Sequence, residues 1–462
     1  LRNYRGMNKK EMPTLFDAFK VWLKISLLSF GGPAGQISIM HKFLVEQKQW
    51  ISDKRFLHAL NYCMLLPGPE AQQLATYIGW LLHRTFGGLI AGLLFIIPGV
   101  IIILILSILY AEFQELKLIN ALFFGLKAAV LAVVIEAIIK IGKRALKSKA
   151  MYAIAFGTFI GIFFLSIPFP ILIIIAAIIG VIGEIIKRKS YFNVNNISVQ
   201  IVPDKNTAII DKKLNNKVLA HTESSFRQSV KVAIIWLIIW LGPIFVMILA
   251  LGTTNVFVQE GLFFSKIAVV TFGGAYAVLA YVAQQAVYNY QWLSPGEMLN
   301  GLGMAETTPG PLIMIVQFVG FMGAYRNPGQ LDPITAGILG SMITTWVTFA
   351  PCFLWIFLGG PYIEKLRNNK LLASALSAIT AAVVGVILNL AVWFSLHVIF
   401  KTVNEVFIGF IHVWVPVWGT IEYASLAIAV GALISSLLLK IGMIPTLLIS
   451  AVIGVLYHYS FV

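Results

Sequence analysis

Four charged side chains stand inside apolar stretches of this chain. Lys24 lies six residues before Phe30-Gly31-Gly32, and Lys266 lies six residues before Phe272-Gly273-Gly274. Lys24 is about nine residues into its helix, roughly 14 Å at 1.5 Å per residue. A cation at that depth costs several kcal/mol unless it is paired or hydrated. One such lysine can snorkel to an interface; two at matching positions point to a shared anionic ligand. Glu70 directly follows Pro67-Gly68-Pro69, and Glu306 stands three residues before Pro309-Gly310-Pro311. Ionised, either carboxylate repels a bound anion; protonated on binding, either couples anion movement to a proton. Glu70 has a plainer alternative role in the first turn of a helix, where carboxylates are favoured. Gln72, Gln73, Thr307, Thr308 and Gln317 add neutral donors of the kind an oxyanion accepts.

These groups belong to motifs that occur twice. Phe30 recurs as Phe272, Trp50-x-Ser52 as Trp292-x-Ser294 and Pro67 as Pro309, each 242 positions on, and the two lysines fall on the same offset. Further along, Pro98 matches Pro351 and Ala128–Val130 matches Ala381–Val383 at an offset of 253, which puts an insertion near Tyr325–Asp332. Glycine permits positive φ and close backbone approach. Irregular backbone deep in a membrane survives only when it is buried in protein or lines a wet cavity. A small-residue notch for helix packing is the plain alternative for FGG, and a surface turn is the plain alternative for PGP. The apolar flanks Cys63–Leu66 and Leu74–Leu82 favour a hairpin that dips into the membrane. Pro69 and Pro311 suit the first position of a helix, and the helices that follow present free N–H groups and a positive dipole end to an anion. Duplicated broken helices carrying charge are the signature of a secondary transporter.

The elements that position these residues are helices in a membrane. Hydrophobic residues make up 59% of the chain, charged residues 11%, and mean hydropathy is +0.88; an average soluble domain is roughly 25% charged. The runs Leu89–Leu109, Leu118–Ile139, Val232–Leu251 and Leu371–Phe394 can each cross about 30 Å of hydrocarbon. The expected fold class is an all-α polytopic membrane protein with two inverted-topology repeats and broken or re-entrant helices. The formal net charge of +15 gathers in short loops beside apolar runs, which encodes orientation rather than nucleic-acid binding. Cys63 and Cys352 sit in apolar surroundings, and the histidines show no metal-like clustering. No metal or cofactor is implied, and no nucleotide loop or triad spacing points to an enzyme.

Loop charge sets the topology. The basic loop Lys140–Lys149 and the long polar segment Lys187–Lys231 flank two apolar runs, Met151–Ile167 and Ile171–Ile186, so both can lie in the cytoplasm with the basic N-terminus. Equivalent loops change sign between the halves. Glu112, Glu115 and Lys117 are answered by Glu364, Lys365, Arg367 and Lys370, Lys54-Arg55 by Gly296-Glu297, and the Lys140–Lys149 loop by only Lys401 and Glu405. The halves are therefore expected to insert upside down relative to each other. The expected divisions are an N-terminal cytoplasmic segment (1–14), a first repeat (15–186), a flexible basic linker (187–231), a connecting span (232–251) and a second repeat (252–462).

The strings FGGPAGQI, WIS followed by FLHALNYCMLLPGPEAQQLATYIGW, and GLGMAETTPGPLIMIVQFVGF resemble the signatures of the chromate ion transporter family, over nearly the whole chain outside the linker and termini. The resemblance implies fused, antiparallel halves and export of chromate from the cytoplasm, with sulfate as the isosteric competitor. The expectation is a multi-pass protein of the cytoplasmic membrane. It would carry a tetrahedral oxyanion between the FGG breaks and the PGP helix ends, with proton coupling through Glu70 or Glu306. The runner-up is a sulfate or other oxyanion carrier in which chromate is a passenger. A lipid-directed enzyme and a passive channel are less favoured. The oligomeric state is left open, with a homodimer one expectation.

Overall fold

The computed structural model describes residues 12–30, 32–186, 208–211, 225–272, 275–363, 370–409 and 411–461. The described residues are almost entirely helical, and seven of the helices are long and apolar enough to cross a membrane. The all-α polytopic class expected from composition is what forms.

The first half holds α1 (Leu15–Leu28), α2 (Gly32–His41), α3 (Asp53–Cys63), α4 (Glu70–Phe113), α5 (Lys117–Ala145), α6 (Lys149–Phe163) and α7 (Phe169–Ile186). One further helix, α8 (Phe226–Leu251), joins the halves and begins six residues before the expected span. The second half repeats the order with α9 (Val256–Val270), α10 (Ala275–Gln284), α11 (Pro295–Thr307), α12 (Ile315–Arg326), α13 (Pro333–Gly359), α14 (Lys370–Ile399), α15 (Tyr423–Leu433) and α16 (Met443–Phe461). A β-hairpin, β1 (Val403–Ile408) with β2 (Ile411–Pro416), stands between α14 and α15 and has no counterpart among the described residues of the first half.

The repeat extends to backbone detail. Both α2 and α10 run on as π-helix, over Lys42–Gln47 and Gln285–Asn289. Gln49 and Gln291 share a φ of 54°, and Trp50 and Trp292 donate back to Leu44 and Ala286 at 2.9 and 2.7 Å. Ser52 and Ser294 then cap α3 and α11 by accepting the third backbone N–H of each. The W-x-S motif is thus a structural corner: a buried indole locks the turn, and the serine starts the next helix. The offset change also has a structural origin. In the first half α4 passes through a kink at His83 and Arg84, whereas in the second half Asn327–Asp332 separates α12 from α13.

Short helices fold back instead of crossing. His83 Nε2 meets the Pro13 carbonyl at 2.7 Å, and His41 meets Asp53 at 2.7 Å. The start of α1, the end of α2, the start of α3 and the kink in α4 therefore share one face. In the second half, Arg326 at the end of α12 donates to the Trp292 carbonyl at 2.9 Å and pairs with Glu297 at the start of α11. The rings of Phe263 and Phe264, at the middle of α9, pack on Tyr290 and Trp292 and tie that helix to the same corner. Each half is thus two helical hairpins followed by long helices. The 11 residues of α3 rise about 16 Å, half of a bilayer core of about 30 Å.

The halves interlock. Gly88 of α4 rests against Phe357 of α13 and Gly92 against Phe353, so these equivalent helices run antiparallel. Helix α5 packs on α16 and, by the same symmetry, α14 packs on α7. The polar linker was expected to be flexible. Within it, Ala208–Asp211 is anchored: Ile209 and Ile210 are buried, Ile210 donates to the Trp50 carbonyl at 3.0 Å, and Asp211 pairs with Arg55 at 2.6 Å.

Gly68 and Gly310 occupy φ of 117° and 107°, a region that costs other residues of order 1–3 kcal/mol. A Cβ on Gly68 would also stand 2.9 Å from the Cys352 sulfur, whereas the nearest atom to one on Gly310 is 3.5 Å away. Thermal unfolding in detergent should therefore show both Gly68→Ala and Gly310→Ala destabilised, the first more than the second. Gly157→Ala, on an open face of α6, should be neutral or slightly stabilised.

Candidate functional site

The tips of the four hairpins meet in two pairs, each pair joining one half to the other. The Gly68 N–H donates to the Thr271 carbonyl at 2.7 Å, and the Gly310 N–H donates to the Ser29 carbonyl at 3.0 Å. Ser29 and Thr271 are equivalent residues just before the two FGG breaks, and Gly68 and Gly310 are equivalent centres of the two PGP turns. Each half's broken helix thus supplies the backbone partner that the other half's turn lacks. Ser29 and Thr271 also donate their hydroxyls to Ile25 and Ile267 one turn back, both at 2.7 Å. Gly99 and Cys352, equivalent positions just past the matched prolines, press against Gly310 and Gly68.

The surroundings satisfy most of the backbone freed by these breaks. Pro98 has no N–H, which leaves the Leu94 carbonyl without its helical donor; the Ser26 hydroxyl fills that place. The Gln36 amide donates to the Gly310 carbonyl and the Gln317 amide to the Val100 carbonyl, the latter at 2.9 Å. Pro69 and Pro311 are N-caps, one position earlier than the sequence pattern suggests, so Glu70 takes the first turn of α4. The first N–H groups of α4, beginning at Glu70, have no intrahelical partner and point out of the helix end. In the second half a 3-10 turn, Leu312–Met314, precedes α12 and makes the same kind of end.

The remaining residues singled out from sequence fall into three groups. Pro67, Gly68, Pro69, Gln72 and Gln73 gather at one tip and Thr307, Thr308, Pro309, Gly310, Pro311 and Gln317 at the other, nearly all buried. The amides of Gln72 and Gln73 donate to Thr76 Oγ1 (3.2 Å) and the Pro67 carbonyl (2.7 Å). Thr307 and Thr308 give their hydroxyl protons to carbonyls of α11. Glu306 is 2% exposed and accepts from the Tyr276 hydroxyl. Its second oxygen, like Oε1 of Gln72, Gln73 and Gln317, is buried with no hydrogen-bond partner among the described residues. Phe30 and Phe272 are half-buried beside the breaks, while Gly31, Gly273 and Gly274 lie outside the described residues. Lys24 and Lys266 are exposed, on faces of α1 and α9 turned away from the buried stripes. Lys24 stands 5.1 Å from the centre of the Phe43 ring and Lys266 stands 6.0 Å from that of Tyr281. No described contact joins the two lysines to each other or to the crossing.

Several polar residues at depth were not singled out from sequence. Gln36 and Tyr276 matter only through contacts with residues 274 and 30 positions away. Glu260 is fully buried against Gly323 and Gly340, with neither oxygen hydrogen-bonded among the described residues, and half-buried Lys127 reaches toward Gly296. Both are charges inside apolar helices, the same signal that drew attention to Lys24, but neither has a charged counterpart at the repeat offset.

The chromate transporter family profile matches residues 16–181 and 258–455, which together take in both sets of hairpins. The chain belongs to the chromate transporter family. It is 29% identical over 380 residues to a chromate transport protein of Pseudomonas aeruginosa, covering 81% of this chain and 79% of that one. It is 25% identical to a chromate transport protein of Cupriavidus metallidurans, covering 81% of each. A probable chromate transport protein of Synechococcus elongatus is 24% identical, over 79% of this chain and 81% of its own. No solved structure matches the chain. The family match stops short of the segment around Ala208–Asp211 and of α8, so it falls on the hairpins and long helices of each half.

Removing a donor beside the crossing should cost stability with little change in packing. Ser26→Ala leaves the buried Leu94 carbonyl without a partner, a loss of about 1–3 kcal/mol. Ser395→Ala removes a hydroxyl whose acceptor, Ala391, is already inside a regular helix, and should stay within about 0.5 kcal/mol. Denaturant unfolding of the two variants measures the difference, and equal losses would contradict the assignment.

Proposed function

We propose that this protein is a secondary carrier for a tetrahedral oxyanion, moving chromate out of the cytoplasm across the cytoplasmic membrane. The observation that carries this reading is the reciprocal crossing of the two PGP turns in a member of the chromate transporter family. Each PGP turn opens a helix end with free N–H groups, at Glu70 in one half and at Leu312 in the other, and such ends favour negative charge. An anion of tetrahedral shape accepts from several directions at once, which suits donors converging from two halves. Broken helices meeting between antiparallel repeats suit alternating access, in which one half rocks against the other around a fixed site.

In this reading Lys24 and Lys266 act from the exposed faces of α1 and α9, raising the local concentration of anions near the hairpins. Glu306, held by Tyr276 beside the second PGP turn, carries a proton in exchange with the anion. Glu70, at the first turn of α4, is the alternative carrier. The basic loops place the N-terminus and the Asp211 segment in the cytoplasm, and the β-hairpin on the opposite side. Sulfate shares the shape and charge of chromate, so the same site would accept it, and chromate could be its passenger.

The test is flux in proteoliposomes with labelled chromate and sulfate under a pH gradient of either sign. Saturable, counter-transported flux that follows the gradient supports a proton-coupled carrier. Glu306→Gln should keep exchange but lose the response to the gradient, and Lys24→Gln with Lys266→Gln should raise the half-saturating concentration several-fold. Unchanged kinetics in the double lysine variant would remove those residues from the account. Non-saturating flux would instead indicate a channel, and faster sulfate than chromate turnover would make chromate the passenger.

A further inference from the structure

A pocket lies beneath the β-hairpin, between α10, α14 and the α6–α7 turn. Its polar and aromatic walls come from Gln284, Tyr288, Asn389, Trp393, His412 and Trp414. The position is built rather than incidental. The His412 N–H donates to the Phe164 carbonyl at 2.7 Å, which ties the hairpin to the α6–α7 turn. The Trp393 indole donates to the Tyr288 hydroxyl at 3.0 Å, and the rings of Tyr288 and Trp414 stand 5.1 Å apart. Against this fixed aromatic frame, the carboxamides of Gln284 and Asn389 make no hydrogen bond among the described residues.

One helix runs from the pocket to the hairpin tips. Tyr276, Ala280, Gln284 and Tyr288 recur every four residues of α10 and its π-helical continuation, so they form one stripe. At one end Tyr276 holds Glu306 beside the second PGP turn; Ala280, Gln284 and Tyr288 line the pocket. From Tyr276 to Gln284 is about 12 Å at 1.5 Å per residue. No carboxylate lines the pocket, and Glu405 at its rim faces His412 at 3.6 Å.

We propose that this pocket is the vestibule through which an oxyanion passes between the hairpin-bearing face and the crossed tips, guided by the free carboxamides of Gln284 and Asn389. The proposal rests on the transport reading above. Uncharged donors suit a passage: they replace part of the anion's hydration without holding it as a cation would, and conduction needs a site that releases. The arrangement belongs to one half alone. At the repeat offsets, Gln284, Tyr288 and Asn389 fall on Lys42, Glu46 and Glu136, so the two faces of the molecule offer an anion different surroundings.

Cysteines placed on the apolar wall test this in a background that carries Cys63→Ala and Cys352→Ala, since Cys352 lies at the crossing and would otherwise compete for the reagent. Ile162→Cys, and Leu390→Cys as a second position, put a thiol on the wall of the pocket without touching its polar groups. A charged, membrane-impermeant thiol reagent applied to the β-hairpin side should modify them and abolish chromate flux, and saturating sulfate should slow the modification. Applied to the other side, it should do neither. Gln284→Leu with Asn389→Leu should raise the half-saturating concentration for anion presented from the hairpin side. Flux that persists after complete modification, or thiols that transport-competent protein never exposes to the reagent, would overturn the vestibule and leave the carrier standing. Absence of saturable oxyanion flux in the unsubstituted protein would overturn the transport reading, and the vestibule with it.

Discussion

The structure depends on how two breaks in membrane-buried helices find hydrogen-bond partners. Hydrocarbon offers none, and each unpaired N–H or carbonyl there costs several kcal/mol. A single half has no answer at its PGP turn, because the glycine N–H points away from its own helices. The answer comes from the other half: Gly68 donates to Thr271, and Gly310 donates to Ser29. Neither half can satisfy its turn alone, so fusion of the halves fixes a partnership that the backbone already requires. The neighbouring features serve the same end. Ser26 covers the carbonyl freed by Pro98, Gln36 covers that of Gly310, and small Gly99 and the slender Cys352 let the turns approach.

That constraint also explains why function would be placed here. Two backbone bonds and a few amides order the tips. Around them lie a carboxyl held by one tyrosine, three glutamine oxygens with no hydrogen-bond partner among the described residues and two helix ends with free N–H groups. Donors and acceptors that the protein leaves unmatched at its centre are capacity for water, ion or proton. The long helices beyond, with α5 against α16 and α14 against α7, form the frame against which the tips would move.

Much of this was legible in the sequence. The doubled motifs located every hairpin corner and tip, and the 11-residue change in offset located the Asn327–Asp332 loop that divides the second half where α4 merely kinks. Apolar runs gave the spanning helices. What was not legible is contact across the halves. Nothing in a linear pattern says that Gly68 will meet Thr271 rather than water, or that Gln36 will reach Gly310. The lysines show the reverse: a symmetric pair at depth suggests convergence, yet Lys24 and Lys266 lie on exposed faces over aromatic rings, because helix rotation is set by packing stripes and not by charge. Glu260 and Lys127 have no charged counterpart at the repeat offsets, where Ala18 and Thr380 stand, so the doubled pattern does not mark them. The β-hairpin Val403–Pro416 was not legible either, because its first strand, Val-Asn-Glu-Val-Phe-Ile, lacks the period-two alternation that marks a half-buried strand.

The central claim is that the two halves bind one oxyanion where their PGP turns cross. Its most direct test is anomalous diffraction at the chromium edge from crystals of this protein grown with chromate. The account predicts one dominant peak at the PGP turns, within hydrogen-bonding reach of the first N–H groups of α4 or of the Leu312–Met314 turn. A dominant peak elsewhere, for instance beside Lys24 or Lys266 with the crossing empty, would contradict it.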